Sequence, residues 1–168
     1  MNHLHWKVKM SRIVRAIAAI AILVPTIAAT GQPKPNLSGT WTLDVAASNF
    51  AKEEPPAKKV VTIEHLEPKV TMTVVEEGPR GAMTGEAQYL TDKTPVMNSV
   101  LGNPMTTIAT WEGTELVMTT TGTFGDNEIT LVDRFALSGD GKTLTVRRHF
   151  EGKQRGGVQD QVLVHRKQ

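Results

Sequence analysis

The 168-residue chain has no cysteine. That excludes disulfide crosslinks, thiol chemistry, cysteine-ligated zinc and a lipid anchor on an N-terminal cysteine. No acidic residue precedes Asp44. No apolar run reaches the roughly 20 residues that a membrane-spanning helix needs. After residue 30, no stretch carries the periodicity of a long helix. Also missing are a Gly-x-Ser-x-Gly elbow, a phosphate-binding glycine loop and a spaced histidine pair. The adjacent acids Glu53-Glu54 and Glu76-Glu77 make no dyad, because neighbours on a strand point to opposite faces. His65, His149 and His165 are not spaced as metal ligands. The expectation is a protein that is not an enzyme, with no cofactor and no metal.

What stands at the N-terminus has the three parts of a secretory signal. Lys7, Lys9, Arg12 and Arg15 form a basic start, and Ala16 to Val24 is unbroken apolar sequence. Pro25 ends the helix, and Ala28 and Ala29 lie in a small-residue cleavage region. Residues 1–29 are therefore expected to be a signal helix, 30–36 a loose tail and 37–168 one domain, exported to the periplasm or secreted. Removing the signal leaves 15 basic against 17 acidic residues, a net charge of −2. The sequence pI of about 9.0 thus belongs to the precursor. A near-neutral domain lacks the clustered basic face that nucleic acid requires. The local basic patch of Arg147, Arg148, Lys153 and Arg155 reads as a solvated hairpin end. Stable membrane insertion of the mature chain is not expected either.

The mature part alternates apolar and polar residues in short runs separated by Gly, Pro, Asn and Asp, the pattern of strands and turns. Nine strands are predicted: 39–44, 59–66, 70–76, 83–90, 105–111, 115–121, 128–137, 143–150 and 158–166. Sequential strands with short connections pair with their neighbours, and closure into a barrel removes exposed edges. The predicted fold is all-β, a single up-and-down antiparallel β-barrel of 8–10 strands, with a β-sandwich as the alternative. The segment from Thr91 to Pro104 is long for a hairpin connection. It contains Val96, Met97, Val100 and Leu101, and is expected to fold over one barrel end.

The segment Gly39-Thr40-Trp41, followed by Ser48-x-Phe50, resembles the opening of lipocalin-like (calycin-type) exported bacterial barrels of unassigned function. The hairpin from Ser138 to Thr145 and the last strand from Val162 to Arg166 extend the resemblance. It implies a barrel and suggests binding of a small apolar or amphipathic molecule.

Trp41 is expected to plug the closed end, where its indole N–H needs a partner. Trp41, as a pocket wall, is with Met72, Tyr89, Trp111, Met118 and Phe135 a candidate ligand-binding residue, and methionine adapts to irregular cavities. The last two hairpins allow a sharper expectation. With Gly139-Asp140-Gly141 at the tip, Phe135 faces Val146 and Asp133 faces Arg148. Closing the next hairpin at Phe150 and Val158 places Asp160 opposite Arg148. Asp133, Arg148 and Asp160 would then form an ion triad on the apolar face, where buried charges must be paired. Arg148 is also a candidate for orienting a ligand. The competing function is a protein-binding module, for example an inhibitor of an exported enzyme, acting through loops or the outer face.

Overall fold

The computed structural model describes residues 33–78, 81–152 and 157–168. The expected signal, the first part of the tail, and Lys153 and Arg155 of the basic patch lie outside the described residues. Ten strands follow one another: β1 (Gly39–Leu43), β2 (Lys58–Leu66), β3 (Lys69–Gly78), β4 (Gly81–Leu90), β5 (Val96–Val100), β6 (Asn103–Glu112), β7 (Glu115–Phe124), β8 (Asn127–Leu137), β9 (Thr143–Gly152) and β10 (Gly157–Lys167). They form one sheet in the order β4-β3-β2-β1-β10-β9-β8-β7-β6-β5. Each ladder is antiparallel, including the β1–β10 pair that joins the first and last strands. No helix occurs among the described residues. The fold is the expected up-and-down barrel, not a sandwich.

Closure is incomplete at one place. β4 and β5 are the two ends of the sheet order and share no ladder. A side chain spans the gap: Gln88 N–H donates to Asn98 Oδ1 at 3.0 Å, and Asn98 Nδ2 donates to the Gln88 carbonyl at 2.9 Å. The Asn98 carboxamide thus stands in for one peptide group of a ladder.

β5 corrects the expectation for Thr91 to Pro104. Five of its fourteen residues are not a loop over the end but a strand, held along its length by β6. Its outward Met97 is 70% exposed, as befits an edge. The register from β6 through β9 follows the hairpin tips, with Phe135 opposite Val146 and Asp133 opposite Arg148.

Alternation decides what faces inward. Trp41, Ile63, Val70, Leu116 and Leu144 are fully or almost fully buried and share one core cluster. The Gly-x-Trp element has a steric reason. Gly39 has φ +148°, and a Cβ there would sit 2.8 Å from Lys167 Cε. Only glycine lets the lysine stem pass so close, which brings Lys167 Nζ to 5.3 Å from the centroid of the Trp41 ring.

Candidate functional site

The apolar end of the interior is built first by Trp41. Its indole donates to the Leu37 carbonyl at 3.0 Å, so the ring is a satisfied plug. Met72, Met118 and Phe135 are buried within the same cluster, and Tyr89 and Trp111 pack against it half-buried. The structure therefore brings all six of these predicted residues to one continuous interior.

Arg148 lies on the same inner face of β9 as Leu144 and Val146. Its Nε and Nη2 donate to the two oxygens of Asp133, each at 2.8 Å. This fork geometry is the strongest form of the Arg–carboxylate bond. Burial acts against the Arg148 charge, but Asp133 outweighs it, and the guanidinium pKa is raised. Tyr89 lies close enough to feel both charges. Burial first, then Asp133, push its phenol upward, while Arg148 opposes. The phenol is a neutral hydroxyl at physiological pH.

Asp160 does not complete a triad. β10 pairs with β9 one residue away from the expected register: Gln161 lies opposite Arg148, and Asp160 opposite His149. A one-residue slip turns every side chain of a strand over. Gln159, Leu163 and His165 thus face inward and are buried, while Val162 is 38% exposed. The physical reason is the cost of a second buried carboxylate. Asp133 already satisfies Arg148, and Asp160 outside is solvated and bonded to His149 Nδ1 at 2.7 Å. Glu151 holds His149 Nε2 at 3.0 Å. These bonds raise the His149 pKa, the one from Glu151 foremost. An open depression of about 270 Å³ lies here on the outer wall, lined by Val132, Arg134, Arg147, His149, Asp160 and Val162 among others. Arg134 and Arg147 there are engaged by Glu112 and Glu115.

Two further pairs extend the polar part of the interior. Lys59 on β2 bonds Glu76 on β3 at 2.8 Å, with both side chains about four-fifths buried. The hydroxyls of Thr107 and Thr120 meet across β6 and β7 at 2.8 Å. His165 is 3% exposed, and its pKa is pushed down to about 4, by burial first and then by the Lys59 charge.

A second polar cluster, at the apolar end, was missed from the sequence. Glu67, in the turn between β2 and β3, accepts from Thr91 Oγ1 at 2.6 Å, Trp111 Nε1 at 2.6 Å, His65 Nε2 at 3.0 Å and Lys34 Nζ at 3.4 Å. Its burial raises the pKa, but the four donors outweigh it and hold the carboxyl at about 2. His65 stacks on Trp111 with ring centroids 5.8 Å apart. Its Nδ1 accepts from the Leu37 N–H at 3.2 Å, which leaves Nε2 as the protonated nitrogen. The inward position of His65 was legible from alternation. Its partner Trp111 is 44 residues from Glu67, and only the curled sheet brings them together. No group of three or more His, Asp or Glu among the described residues is placed to hold a metal.

No protein-family model matches the chain, and no curated protein matches it. Solved structures do. A secretary abundant heat soluble (SAHS) protein from Ramazzottius varieornatus superposes with a TM-score of 0.55 at 10% identity, over 78% of this chain and 94% of that one. Zebrafish ileal bile acid-binding protein, complexed with cholic acid, gives 0.54 at 14% identity, over 79% and 98%. Secretory abundant heat soluble protein 4 from R. varieornatus gives 0.53 at 14%, over 82% and 99%. These are calycin-type barrels, and at such identities the likeness is one of fold.

Proposed function

We propose that the chain is an exported carrier whose barrel interior binds one small amphipathic molecule. The observation that carries this reading is the division of the interior. An apolar end closed by Trp41, Met72, Met118 and Phe135 meets a polar group formed by Arg148, Asp133 and Tyr89. Small-molecule sites combine an apolar lining with a few placed polar groups in this way. Asp133 engages two of the five N–H donors of Arg148 and so fixes the guanidinium on the inner face. The zebrafish neighbour, complexed with cholic acid, supports the reading as an analogy of fold. Export rests on residues 1–29, and N-terminal sequencing of the secreted product tests it: a chain still starting at Met1 overturns that part.

The test of the carrier is native mass spectrometry of protein purified from its own host, looking for an added mass that organic extraction removes. Saturable binding of the neutral fluorescent probe N-phenyl-1-naphthylamine, weakened in Trp111→Ala and Met118→Ala, is the second readout. The absence of both overturns the reading. A protein-binding module is the second reading, favoured by Met97, Val100 and Leu101, which are 70%, 42% and 60% exposed along and beyond the β5 edge. A partner captured by the wild type and lost in Met97→Asp, with no probe bound inside, distinguishes it.

A further inference from the structure

The barrel interior contains two histidines, and only one has its hydrogen bonds made within the protein. His65 uses both ring nitrogens, toward Leu37 and Glu67. His165 is more deeply buried, at 3% exposure, and neither Nδ1 nor Nε2 has a hydrogen-bond partner. Its position is set by the ladders on both sides, opposite Leu144 of β9 and Leu43 of β1. The ring therefore cannot turn outward without breaking the strand alternation. The backbone of Leu144 and Leu163 comes near enough to act as weak acceptors that oppose the lowering of its pKa, but neither reaches the distance and angle of a full hydrogen bond to the ring. Buried polar side-chain atoms are almost always paired in native proteins, so a buried ring with both nitrogens unspent points to a group that arrives from outside the chain.

The surrounding charges select that group. The interior cations Lys59 and Arg148 are already matched by Glu76 and Asp133. An acid entering the interior would bring a third carboxylate with no cation of its own, and a cation would meet Lys59 and Arg148. An uncompensated charge in a low-dielectric interior is disfavoured from either side. The imidazole is neutral at physiological pH, and it then offers one N–H donor and one lone pair. A hydroxyl answers both, since it donates and accepts, while a carboxylate only accepts.

From this we infer that His165 is a specificity-determining residue for a neutral, hydroxyl-bearing apolar ligand, an alcohol and not an acid. The inference rests on the carrier reading and names the ligand class for the same site. Lys59–Glu76 and Arg148–Asp133 act as the closed ion pairs that keep acids out.

The test uses two probes of equal length, decan-1-ol and decanoate, displacing N-phenyl-1-naphthylamine from the wild-type chain at neutral pH. Decan-1-ol is expected to displace the probe at about tenfold lower concentration, the value of one hydrogen bond to a buried group. His165→Phe removes both nitrogens while keeping a flat ring, and should weaken displacement by decan-1-ol about tenfold while leaving decanoate, which the ion pairs exclude, unchanged; an unchanged decan-1-ol potency overturns the inference. Far-ultraviolet circular dichroism checks that the variant is folded. A measurement that needs no variant is the ¹⁵N shift of the His165 ring nitrogens, which should move on adding decan-1-ol and not on adding decanoate. Equal potency in the wild type, or tighter binding of decanoate, overturns the inference and leaves the carrier reading standing. Ring shifts that do not move on adding the alcohol overturn it in the same way. Failure of the neutral probe itself to bind overturns the carrier reading, and the inference with it.

Discussion

His65 and His165 are the same residue type on the inner face of one barrel, and the protein treats them in opposite ways. Around His65, five groups from four distant segments close on one another: Leu37, His65, Glu67, Thr91 and Trp111. Around His165 the ion pairs are closed, and the imidazole is left out of them. A buried polar group that is fully bonded rigidifies the structure around it. One that is left unbonded is costly unless something else supplies the bond. The difference separates a fully bonded end of the barrel from an interior position whose polar group is left unbonded.

The comparison breaks most severely at Trp41. Trp41→Ala should destabilise the domain by about 3–5 kcal/mol, the usual cost of emptying a buried Trp site, read from the denaturant midpoint. Next comes the interior pair. Arg148→Met strands Asp133 and should cost about 3 kcal/mol, whereas Asp133→Leu combined with Arg148→Met should lie near wild type, because removing both charges removes the desolvation cost. A double-mutant cycle measures this.

Acid titration sharpens the contrast between the two histidine regions. His165 has its folded pKa lowered to about 4 from 6.5. The unfolded chain therefore takes up a proton there before the folded one does. Stability is full above pH 6.5 and falls as pH drops from 6.5 toward 4, by roughly 3 kcal/mol over the whole window. Glu67 has its folded pKa lowered to about 2 from 4.5. Its contribution is full above pH 4.5 and is lost as pH drops toward 2. Stability measured against pH should thus fall in two successive ranges that meet near pH 4, with the upper one absent in His165→Phe and the lower one absent in Glu67→Gln. The smallest effect belongs to the outer wall. Asp160→Asn should change stability by less than about 0.5 kcal/mol, as solvated surface changes do, and should lower the His149 pKa seen by NMR titration.

Much of the barrel was legible because alternation and turn chemistry are local. Gly139-Asp140-Gly141 pins one hairpin, and the Asp133–Arg148 pairing follows by counting back from it. The β9–β10 hairpin offers no such anchor. Its last strand carries two competing apolar sets, Val158, Val162 and Val164 on one face and Leu163 with Gln159 and His165 on the other. Counting favoured the larger set. The folded chain instead buries Leu163 and leaves Asp160 in water. β5 was missed for a related reason: Asn98 and Ser99 interrupt its apolar pattern, and its existence depends on β6 and on the Asn98 bridge to Gln88.

The sequence by itself determined the class of fold, the inward set on most strands, the plug at Trp41 and the pairing of Arg148 with Asp133. All of these follow from side-chain period and from turns only a few residues long. Tertiary structure alone decided the last register, the seam between β4 and β5, the cluster on Glu67 and the isolation of His165. Each of these depends on curling the sheet until residues tens of positions apart meet, and on which charges then remain to be matched in an interior without water's screening.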